Sequence, residues 1–243
     1  MNNDTTKLFG VKFHKGDEDD LFKRFLHLLN RSRYSMIFTP NPEIVMMAQK
    51  DLEYKDILAE GDLVIPDGIG IIIASRIKKL GLDKRLPGIE MMENILKYCN
   101  NAKKSIYLLG STEENIEKAA ENIQEAYPNL IIAGYHHGYF DESEELKIID
   151  GINEVKPDIL FVAMGAPKQE KWMYKHRKIL NAKVAMGIGG SIDIWSGAVK
   201  RAPRFFRAIG LEWLYSLIKH PSRWRRFLTL PKFLLKVLLS RRG

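Results

Sequence analysis

The sequence predicts an α/β protein with a Rossmann-like, mostly parallel sheet, helices on both faces of that sheet, and a basic amphipathic helical C-terminal appendage. Three observations predict this fold class. Short apolar segments alternate with segments of helical periodicity, which is typical of parallel strands joined by helices. Several apolar segments contain almost no polar residue, as expected for strands covered on both sides. The net positive charge is confined to the last fifth of the chain.

Six segments are predicted as strands, because each is a short apolar run between helical patterns. In chain order they are residues 34–39, 63–66, 105–109, 130–134, 159–164 and 184–187. Helices are predicted over residues 21–30, 42–50, 70–80, 90–100, 112–127, 142–155 and 168–181. Ser111 with Glu114, and Asp141 with Glu144, have the spacing of helix capping boxes. We therefore expect one α/β body over residues 1–195.

The 243-residue chain has an ordinary globular composition, with 45% hydrophobic and 28% charged residues, and is long enough to bury a core. Its single cysteine, Cys99, cannot form an intramolecular disulfide, which favours a reducing compartment. The polar start MNNDTTKLFG has no apolar stretch and predicts no secretory signal. We therefore expect a cytoplasmic protein.

The appendage, residues 196–243, contains twelve Lys and Arg residues and one acid, Glu212, whereas residues 1–195 carry a small excess of acids. This split indicates a segment that faces a polyanion, either an anionic membrane or nucleic acid. Basic residues alternate there with Trp, Phe and Leu, and the apolar runs are shorter than the ~20 residues of a spanning helix. The pattern favours a helix peripheral on the inner membrane face. The alternative is a helix that packs its apolar face on the body.

Polar residues follow the first predicted strand, and ligands of open α/β sheets bind at the carboxyl ends of strands. Thr39 offers a hydroxyl, and Asn41 an amide, to a sugar or a ribose. The alternative for Asn41 is a helix cap, with Pro42 at the first helical position. Spacing alone favours neither interpretation.

Asp67 follows the second predicted strand directly, so its carboxylate is expected to point into the same crevice. A carboxylate with low-dielectric surroundings has a raised pKa, which suits a general base that deprotonates a hydroxyl. Gly68 and Gly70 are expected to let a substrate approach the backbone closely. The alternative is an Asp-Gly turn in which Asp67 caps the following helix.

The stretch from Gly165 to Gln169 is a candidate anion site. A buried strand, a glycine and a helix N-terminus occur there in succession, and the N–H groups of a helix N-terminus favour an anion. Lys168 adds a positive charge for a diphosphate, and Gln169 can hydrogen-bond a sugar or a base edge. The alternative is an ordinary strand–helix junction.

A glycine-rich turn follows the last predicted strand. Gly189 and Gly190 expose backbone N–H groups that can hold phosphates. Asp193, shortly after them, can bind a ribose or sugar hydroxyl. The alternative is a plain tight turn.

Other ligand chemistries have little support in the sequence. Adjacent His136 and His137 lack the i, i+4 spacing of a helical zinc pair. The G-x-G-x-x-G fingerprint of dinucleotide-binding proteins would need glycine at position 73, which is Ile73. No D-x-D motif stands at a predicted strand end to hold a metal–diphosphate complex. We expect no metal and no other cofactor, with Lys or Arg side chains neutralising a bound diphosphate.

These constellations occur in the order of a known family. The chain resembles the WecG/TagA/CpsF family of bacterial glycosyltransferases in TPNPEIVMMAQ, DLVIPDGIGI, YLLGS, HHGYF, FVAMGAPKQEKW, GIGGSID, VKRAP and LGLEWLY. The best-known members resemble N-acetylmannosaminyltransferases. They extend undecaprenyl-diphosphate-linked N-acetylglucosamine with the sugar of UDP-N-acetylmannosamine, as in the wall teichoic acid linkage unit. The resemblance implies a UDP-sugar donor and a polyprenyl-diphosphate-linked acceptor.

The resemblance also implies roles for residues of the body. Asp67 would be the catalytic base, and Thr39, Asn41 and Gln169 would surround the donor and acceptor sugars. Displacement at the anomeric carbon would be direct and would invert its configuration.

The appendage of family members helps to close the active site and meets the membrane. The resemblance implies that Arg223 and Arg226 contact the leaving diphosphate, and Arg201, in VKRAP, is a further candidate for substrate binding. Exposed apolar residues in this segment also suggest a homo-oligomer. We expect an anionic membrane surface as a partner and no nucleic acid.

The chain departs from the family pattern at two positions. Ser216 stands where members often have arginine, and Glu90 stands where relatives have aspartate in R-x-x-G-x-D. With Ser216 one expected cationic contact is missing, so either Arg223 and Arg226 suffice or activity is reduced. Glu90 is a methylene longer than aspartate and leaves other nucleotide hexoses open as donors. The alternative of a different class is a non-catalytic protein that binds nucleic acid or lipid through its basic appendage.

Overall fold

A six-stranded parallel sheet forms the centre of the computed structural model, which describes residues 4–208, 210–219 and 228–240. The strands are β1 (Thr5–Leu8), β2 (Val11–His14), β3 (Ser35–Phe38), β4 (Leu63–Val64), β5 (Ser105–Gly110), β6 (Ile131–His136), β7 (Ile159–Ala163) and β8 (Val184–Gly187). β1 and β2 form a separate antiparallel hairpin. The large sheet has the order β4-β3-β8-β7-β5-β6, with every neighbouring pair parallel. All six predicted strands are confirmed.

Nine helices precede, connect or follow the strands of the large sheet in the described body, residues 4–195. They are α1 (Glu18–Leu29), α2 (Pro42–Ala48), α3 (Leu52–Ala59), α4 (Ile69–Lys78), α5 (Gly88–Ala102), α6 (Glu113–Ala126), α7 (Glu142–Val155), α8 (Lys168–Lys175) and α9 (Ser191–Trp195). All the predicted helices form, but the one predicted over 168–181 is wrong beyond Lys175. Beyond Lys175 the chain continues in turns, in which the Arg177 N–H donates to the carbonyl oxygen of Tyr174 over 3.3 Å and the Ile179 N–H to that of His176 over 3.0 Å. These bonds span three residues rather than the four of an α-helix.

Capping side chains fix the start of several helices, and one of them differs from the prediction. Asp141 and Glu144 form the predicted capping box of α7. The cap of α6 is Thr112, whose hydroxyl accepts a backbone N–H of the first turn, so the predicted Ser111 cap is wrong. Ser111 has a φ of 56° and donates its hydroxyl hydrogen to Asp193 over 2.5 Å. Its side chain is therefore directed away from the helix start.

The core lies on both faces of the sheet, because alternate side chains of a strand point to opposite faces. In β7, Leu160 and Val162 belong to one buried cluster, and Ile159 and Phe161 belong to the other. All four side chains are fully buried. A strand covered on both faces forms a continuous apolar run in the sequence, which explains why these strands could be predicted.

The hairpin of β1 and β2 was not predicted from the sequence. Its two-residue loop is Phe9-Gly10, and both residues have positive φ, 52° and 81°. Such loops usually carry Asn-Gly or Asp-Gly, so phenylalanine hides the turn. The hairpin lies against β4, the edge strand, where His14 Nδ1 accepts the backbone N–H of Val64 over 3.0 Å.

Three further helices form the described part of the appendage. They are α10 (Arg204–Ala208), α11 (Glu212–Lys219) and α12 (Thr229–Leu239). α12 packs on α2 and α4 and buries Phe233 and Val237 completely. One face of α12 is therefore packed on the body, as the alternative interpretation of the appendage predicts. Leu235, Leu238 and Leu239 of α12 are exposed. Across the described ranges, no helix has the length and apolar character needed to cross a membrane.

Candidate active site

The candidate residues gather where strands of the large sheet end. β3 lies between β4 and β8, and β8 also pairs with β7, so the carboxyl ends of these four strands form one edge. Asp67 lies in the loop after β4, and Thr39 directly follows β3. Gln169 is the second residue of α8, the helix after β7. The parallel arrangement therefore brings together the polar clusters predicted from separate parts of the sequence.

Asp67 is held by backbone on two sides. Its own N–H donates to the carbonyl oxygen of Pro40 over 3.2 Å, which joins the loops after β3 and β4. Its Oδ2 accepts the backbone N–H of Gly88, the first residue of α5, over 3.2 Å. α4 begins after Gly68 without a side-chain cap, so the interpretation of Asp67 as its cap is wrong. The carboxylate instead meets the N-terminus of α5.

The electrostatic surroundings of Asp67 suit a general base. Burial raises the pKa of its carboxyl to about 6, against an opposing contribution from the Gly88 N–H. Charge repulsion from Glu212 and Glu90 contributes to this rise, and the positive charge of Arg85 opposes it. A base with a pKa just below neutral is mostly ionised at pH 7 and still has appreciable proton affinity.

Thr39 and Asn41 lie in the loop beside Asp67. A methyl group built at Gly88 would lie 3.0 Å from Thr39 Oγ1, so the Thr39 hydroxyl lies over the same backbone that binds Asp67. Asn41 Oδ1 accepts the N–H of Ile44 over 3.0 Å and caps α2, with Pro42 at its start. The cap interpretation of Asn41 is therefore confirmed for its amide oxygen.

Two charged residues beside Asp67 were not among the predicted site residues. Arg85 donates to the carbonyl oxygen of Arg207, and its Nη2 lies 3.6 Å from Glu212 Oε1. Arg85 thereby ties the segment before α11 to the loop that precedes Gly88. The available signal was that Glu212 is the one acid of the appendage.

Arg201 is engaged by carboxylates of α5. It pairs with Glu90 over 3.2 Å and with Glu93 over 2.6 Å. Burial raises the pKa of Glu90, and the positive charge of Arg201 opposes that shift. Glu90, which departs from the family pattern, therefore fastens the chain after α9 to the body.

The loop after β7 provides an open backbone and a positive charge. Gly165 has a φ of 74°, and a methyl group built on it would meet no atom within 4 Å. Lys168, the first residue of α8, is exposed, donates to the carbonyl oxygen of Gly138 over 3.1 Å and lies 5.3 Å from the Phe140 ring centre. An anion at this loop would meet the N-terminus of α8 together with an ammonium group.

The turn after β8 is joined to that loop by Gln169. Gly189 has a φ of 51° and open space around it, and its N–H donates to Gln169 Oε1 over 3.1 Å. Gln169 Nε2 donates to Glu170 Oε1 over 2.7 Å. Gln169 is 4% exposed, so its amide holds the two loops together. Gly190 precedes α9 in the same turn.

Asp193 forms a small network at the start of α9. Its Oδ1 accepts from the Ser111 hydroxyl over 2.5 Å and from Asn115 Nδ2 over 3.2 Å. Both partners come from the loop and helix after β5. Asp193 therefore links the ends of β5 and β8, and it lies beside Gly190.

The remaining predicted residues belong to the appendage and to the histidine pair. Arg223 and Arg226 lie outside the described residues, and Ser216 belongs to α11. His136 Nδ1 bonds the carbonyl oxygen of His137 over 2.9 Å. The described ranges contain no group of three His, Cys, Asp or Glu side chains arranged to hold a metal ion. The arrangement combines a buried carboxyl group of raised pKa with glycine loops whose backbone is open to an anion.

Comparison with known proteins relates residues 6–243 to a family of enzymes. The profile of a family described as "Glycosyl transferase WecG/TagA/CpsF family" matches residues 6–243. A Bacillus subtilis (strain 168) protein named "N-acetylglucosaminyldiphosphoundecaprenol N-acetyl-beta-D-mannosaminyltransferase" is 39% identical over 87% of this chain and 82% of its own length. A Staphylococcus aureus (strain MW2) protein of the same name is 38% identical over 85% of this chain and 80% of its own length.

Proposed function

The chain belongs to the WecG/TagA/CpsF family of glycosyl transferases, and we propose that it transfers N-acetylmannosamine from UDP-N-acetylmannosamine to undecaprenyl-diphosphate-linked N-acetylglucosamine. The relatives that are 39% and 38% identical to it over 87% and 85% of the chain are named for transfer to that acceptor. The observation that carries the proposal is the placement of Asp67 at the carboxyl edge of the sheet, with a pKa raised to about 6. A base is needed there, because the acceptor hydroxyl must lose its proton to become a nucleophile.

Asp67 takes the proton from the 4-hydroxyl of the acceptor sugar as that oxygen attacks the anomeric carbon of the donor. The bond between the anomeric carbon and the diphosphate oxygen breaks in the same step, so the configuration inverts and UDP leaves. Negative charge that builds on the diphosphate is offset by Lys168, Arg223 and Arg226 and by backbone N–H groups of the two glycine loops. Thr39 lies beside the base, where its hydroxyl can bond a sugar hydroxyl.

The reaction proceeds without a metal in this proposal. Its support is the chemistry of the residues: no D-x-D motif stands at a strand end, whereas Lys168 lies at the first turn of α8, beside Gly165. An ammonium group at a helix N-terminus can balance the charge that a divalent cation balances elsewhere. Turnover should therefore persist in excess EDTA, and its loss, with recovery on adding Mg²⁺ or Mn²⁺, would overturn this part of the proposal.

We place the reaction at the inner face of the membrane, because the acceptor is lipid-linked and the appendage is strongly basic. α12 presents Leu235, Leu238 and Leu239 outward while Phe233 anchors it to the body. Exposed leucines next to the basic side chains of Lys232 and Lys236 suit the boundary between acyl chains and anionic headgroups. Co-sedimentation with vesicles that contain phosphatidylglycerol, but not with purely zwitterionic vesicles, tests this location.

Release of UDP from UDP-N-acetylmannosamine tests the proposed function directly. We expect release that depends on a lipid-diphosphate-N-acetylglucosamine analogue and is lost in Asp67→Ala. Release with UDP-glucose or UDP-N-acetylglucosamine, but not with UDP-N-acetylmannosamine, would assign a different nucleotide hexose to the same site. Failure of every nucleotide sugar to release UDP in the presence of the acceptor would overturn the proposal.

A further inference from the structure

Glu170 is a buried carboxylate to which the mechanism above assigns no role. It lies on α8 and is 1% exposed. Its Oε2 accepts the hydroxyl of Tyr54, from α3, over 3.0 Å, and its Oε1 accepts Gln169 Nε2 over 2.7 Å. Burial raises the pKa of the Glu170 carboxyl, and the two hydrogen bonds oppose that shift. Burying a carboxyl group is costly unless it is well bonded, so its place beside the glycine loops calls for a reason.

The partners of Gln169 determine which way its amide faces. The backbone N–H of Gly189 can only donate, so the amide oxygen must face it, 3.1 Å away. The Glu170 carboxylate accepts, so the amide nitrogen must face it. Reversing the amide would set two donors against each other at Gly189 and two acceptors against each other at Glu170. Gly189 and Glu170 therefore select the same orientation of this buried side chain, and Glu170 holds its amide nitrogen.

That orientation fixes the distance between the two glycine loops. The backbone N–H of Gln169 donates to the carbonyl oxygen of Gly165 over 2.9 Å, and its side chain reaches Gly189 in the other loop. A methyl group built at Gly187 would lie 2.7 Å from Gln169 Nε2, so the amide packs tightly against the end of β8. One side chain thus spans from the start of α8 to the turn after β8.

We propose that Glu170 is a positioning residue, which holds the Gln169 amide so that the 187–190 turn and the 165–168 loop keep the spacing needed to bind the donor diphosphate. Only the identity of the ligand rests on the proposed function. The hydrogen-bonded path from Tyr54 through Glu170 and Gln169 to Gly189 exists without it. Residues that orient a binding group through a second bond typically affect affinity strongly while touching no ligand.

The double variant Tyr54→Phe with Glu170→Met removes the acceptor of the Gln169 amide nitrogen. It replaces a buried hydroxyl and carboxyl by apolar groups of similar size, so the Tyr54 hydroxyl is not left without its partner. The buried Gln169 amide nitrogen loses its acceptor, so we expect a folded protein with a lower unfolding temperature. We also expect about tenfold weaker binding of UDP by calorimetry and a KM for the acceptor that does not change.

Two further variants serve as controls in the full-length protein. Tyr54→Phe alone keeps the bond between Glu170 and Gln169, and UDP affinity should stay within about twofold of wild type. Glu170→Gln keeps an oxygen that can accept from Gln169, so its UDP affinity should fall between wild type and the double variant. Equal losses in Tyr54→Phe and in the double variant would contradict the positioning role.

Hydrogen exchange of residues 187–190 without ligand makes the test independent of the proposed function. We expect exchange of the Gly189 amide to accelerate about tenfold in the double variant and to be unaffected in Tyr54→Phe. Unchanged protection of Gly189 in the double variant would overturn the inference, whatever UDP does. If Gly189 exchanges faster in the double variant but wild-type protein binds no UDP, Glu170 still holds the two loops together. The diphosphate is then not the ligand, and the proposed function is wrong.

Discussion

The carboxylate of Asp67 accepts the backbone N–H of Gly88 over 3.2 Å, which places the proposed base at the first turn of α5. This bond orients the carboxylate and favours its ionised form, whereas burial favours the neutral form. Burial has the larger effect, and the pKa is raised to about 6. The base is thus fixed in direction by one backbone group while its surroundings preserve its affinity for a proton.

The pH dependence of turnover should report the ionisation of Asp67. Because the base acts when deprotonated, kcat/KM should fall tenfold per pH unit as the pH drops below about 6. Asp67→Asn should reduce kcat by about 10²- to 10⁴-fold at pH 7.5, since a positioned base is lost. Asp141→Asn, in the cap of α7, is the matched control and should keep wild-type turnover. Near-native turnover in Asp67→Asn would mean that another group is the base.

The variant Asp67→Asn should be more stable than wild type in alkaline solution. The pKa of Asp67 is raised in the folded state, so the folded protein binds a proton more tightly than the unfolded chain does. Stability from this group is full below pH 4 and is lost as the pH rises through about 6. Asparagine carries no charge, so Asp67→Asn should gain on the order of 1 to 3 kcal/mol in unfolding free energy at pH 8. Urea unfolding at pH 8 and pH 4.5 tests this, and a gain that is equal at both pH values would contradict it.

Glu212 should influence the proton affinity of Asp67 from the appendage. Its negative charge raises the pKa of Asp67, and it also pairs with Arg85, whose positive charge lowers that pKa. Glu212→Gln removes the first effect and leaves Arg85 without this charged partner, so both changes lower the pKa. We expect the acid limb of kcat/KM to move to lower pH, by up to about one unit.

A matched control for this experiment is Glu142→Gln, because Glu142 is exposed at the start of α7. It should leave the acid limb where it is in wild type. If the acid limb of kcat/KM in Glu212→Gln stays in place or moves to higher pH, Glu212 does not act on Asp67 through its charge.

The sequence predicted the parts of the site that depend on strand ends and missed those that depend on packing. Asp67 could be predicted, because apolar strands are continuous runs and the residue after one lies at the sheet edge. The expectation that Gly70 lets substrate approach is wrong, because Pro42 and Leu230 pack against it. Arg85 and Glu212 are far apart in sequence, and no local pattern signals their pairing. The conformation of Ser111 follows from its tertiary bond with Asp193, which overrides its capping propensity.

His14 should make the fold sensitive to acid. Its Nδ1 accepts the Val64 N–H, which requires the ring nitrogen to be unprotonated, and burial lowers its pKa to about 4. The unfolded chain takes up a proton near pH 6.5 and the folded chain does not, so stability falls as the pH drops from 6.5 towards 4. The loss from this group is about 2 kcal/mol at pH 5. Unfolding of wild type and His14→Gln at pH 7 and pH 5 measures it. A wild-type stability loss between these pH values no larger than that of His14→Gln would argue against the assignment.

Gly70 should be intolerant of a side chain, because α12 packs directly over it. A methyl group there would lie 2.5 Å from Leu230 Cδ1 and 2.6 Å from the Pro42 ring, and the ring is held at the start of α2. Gly70→Ala should therefore displace α12 and lower the unfolding free energy by about 1 to 3 kcal/mol, despite the better helix propensity of alanine. Gly151→Ala in α7 is the matched control, because a methyl group at Gly151 meets no atom within 4 Å. Gly151→Ala should raise the unfolding free energy by about 0.5 to 1 kcal/mol.

If both alanines stabilise the protein, α12 does not rest on α4 as described. If only Gly70→Ala destabilises it and also lowers turnover, the appendage supports the helix that follows Asp67.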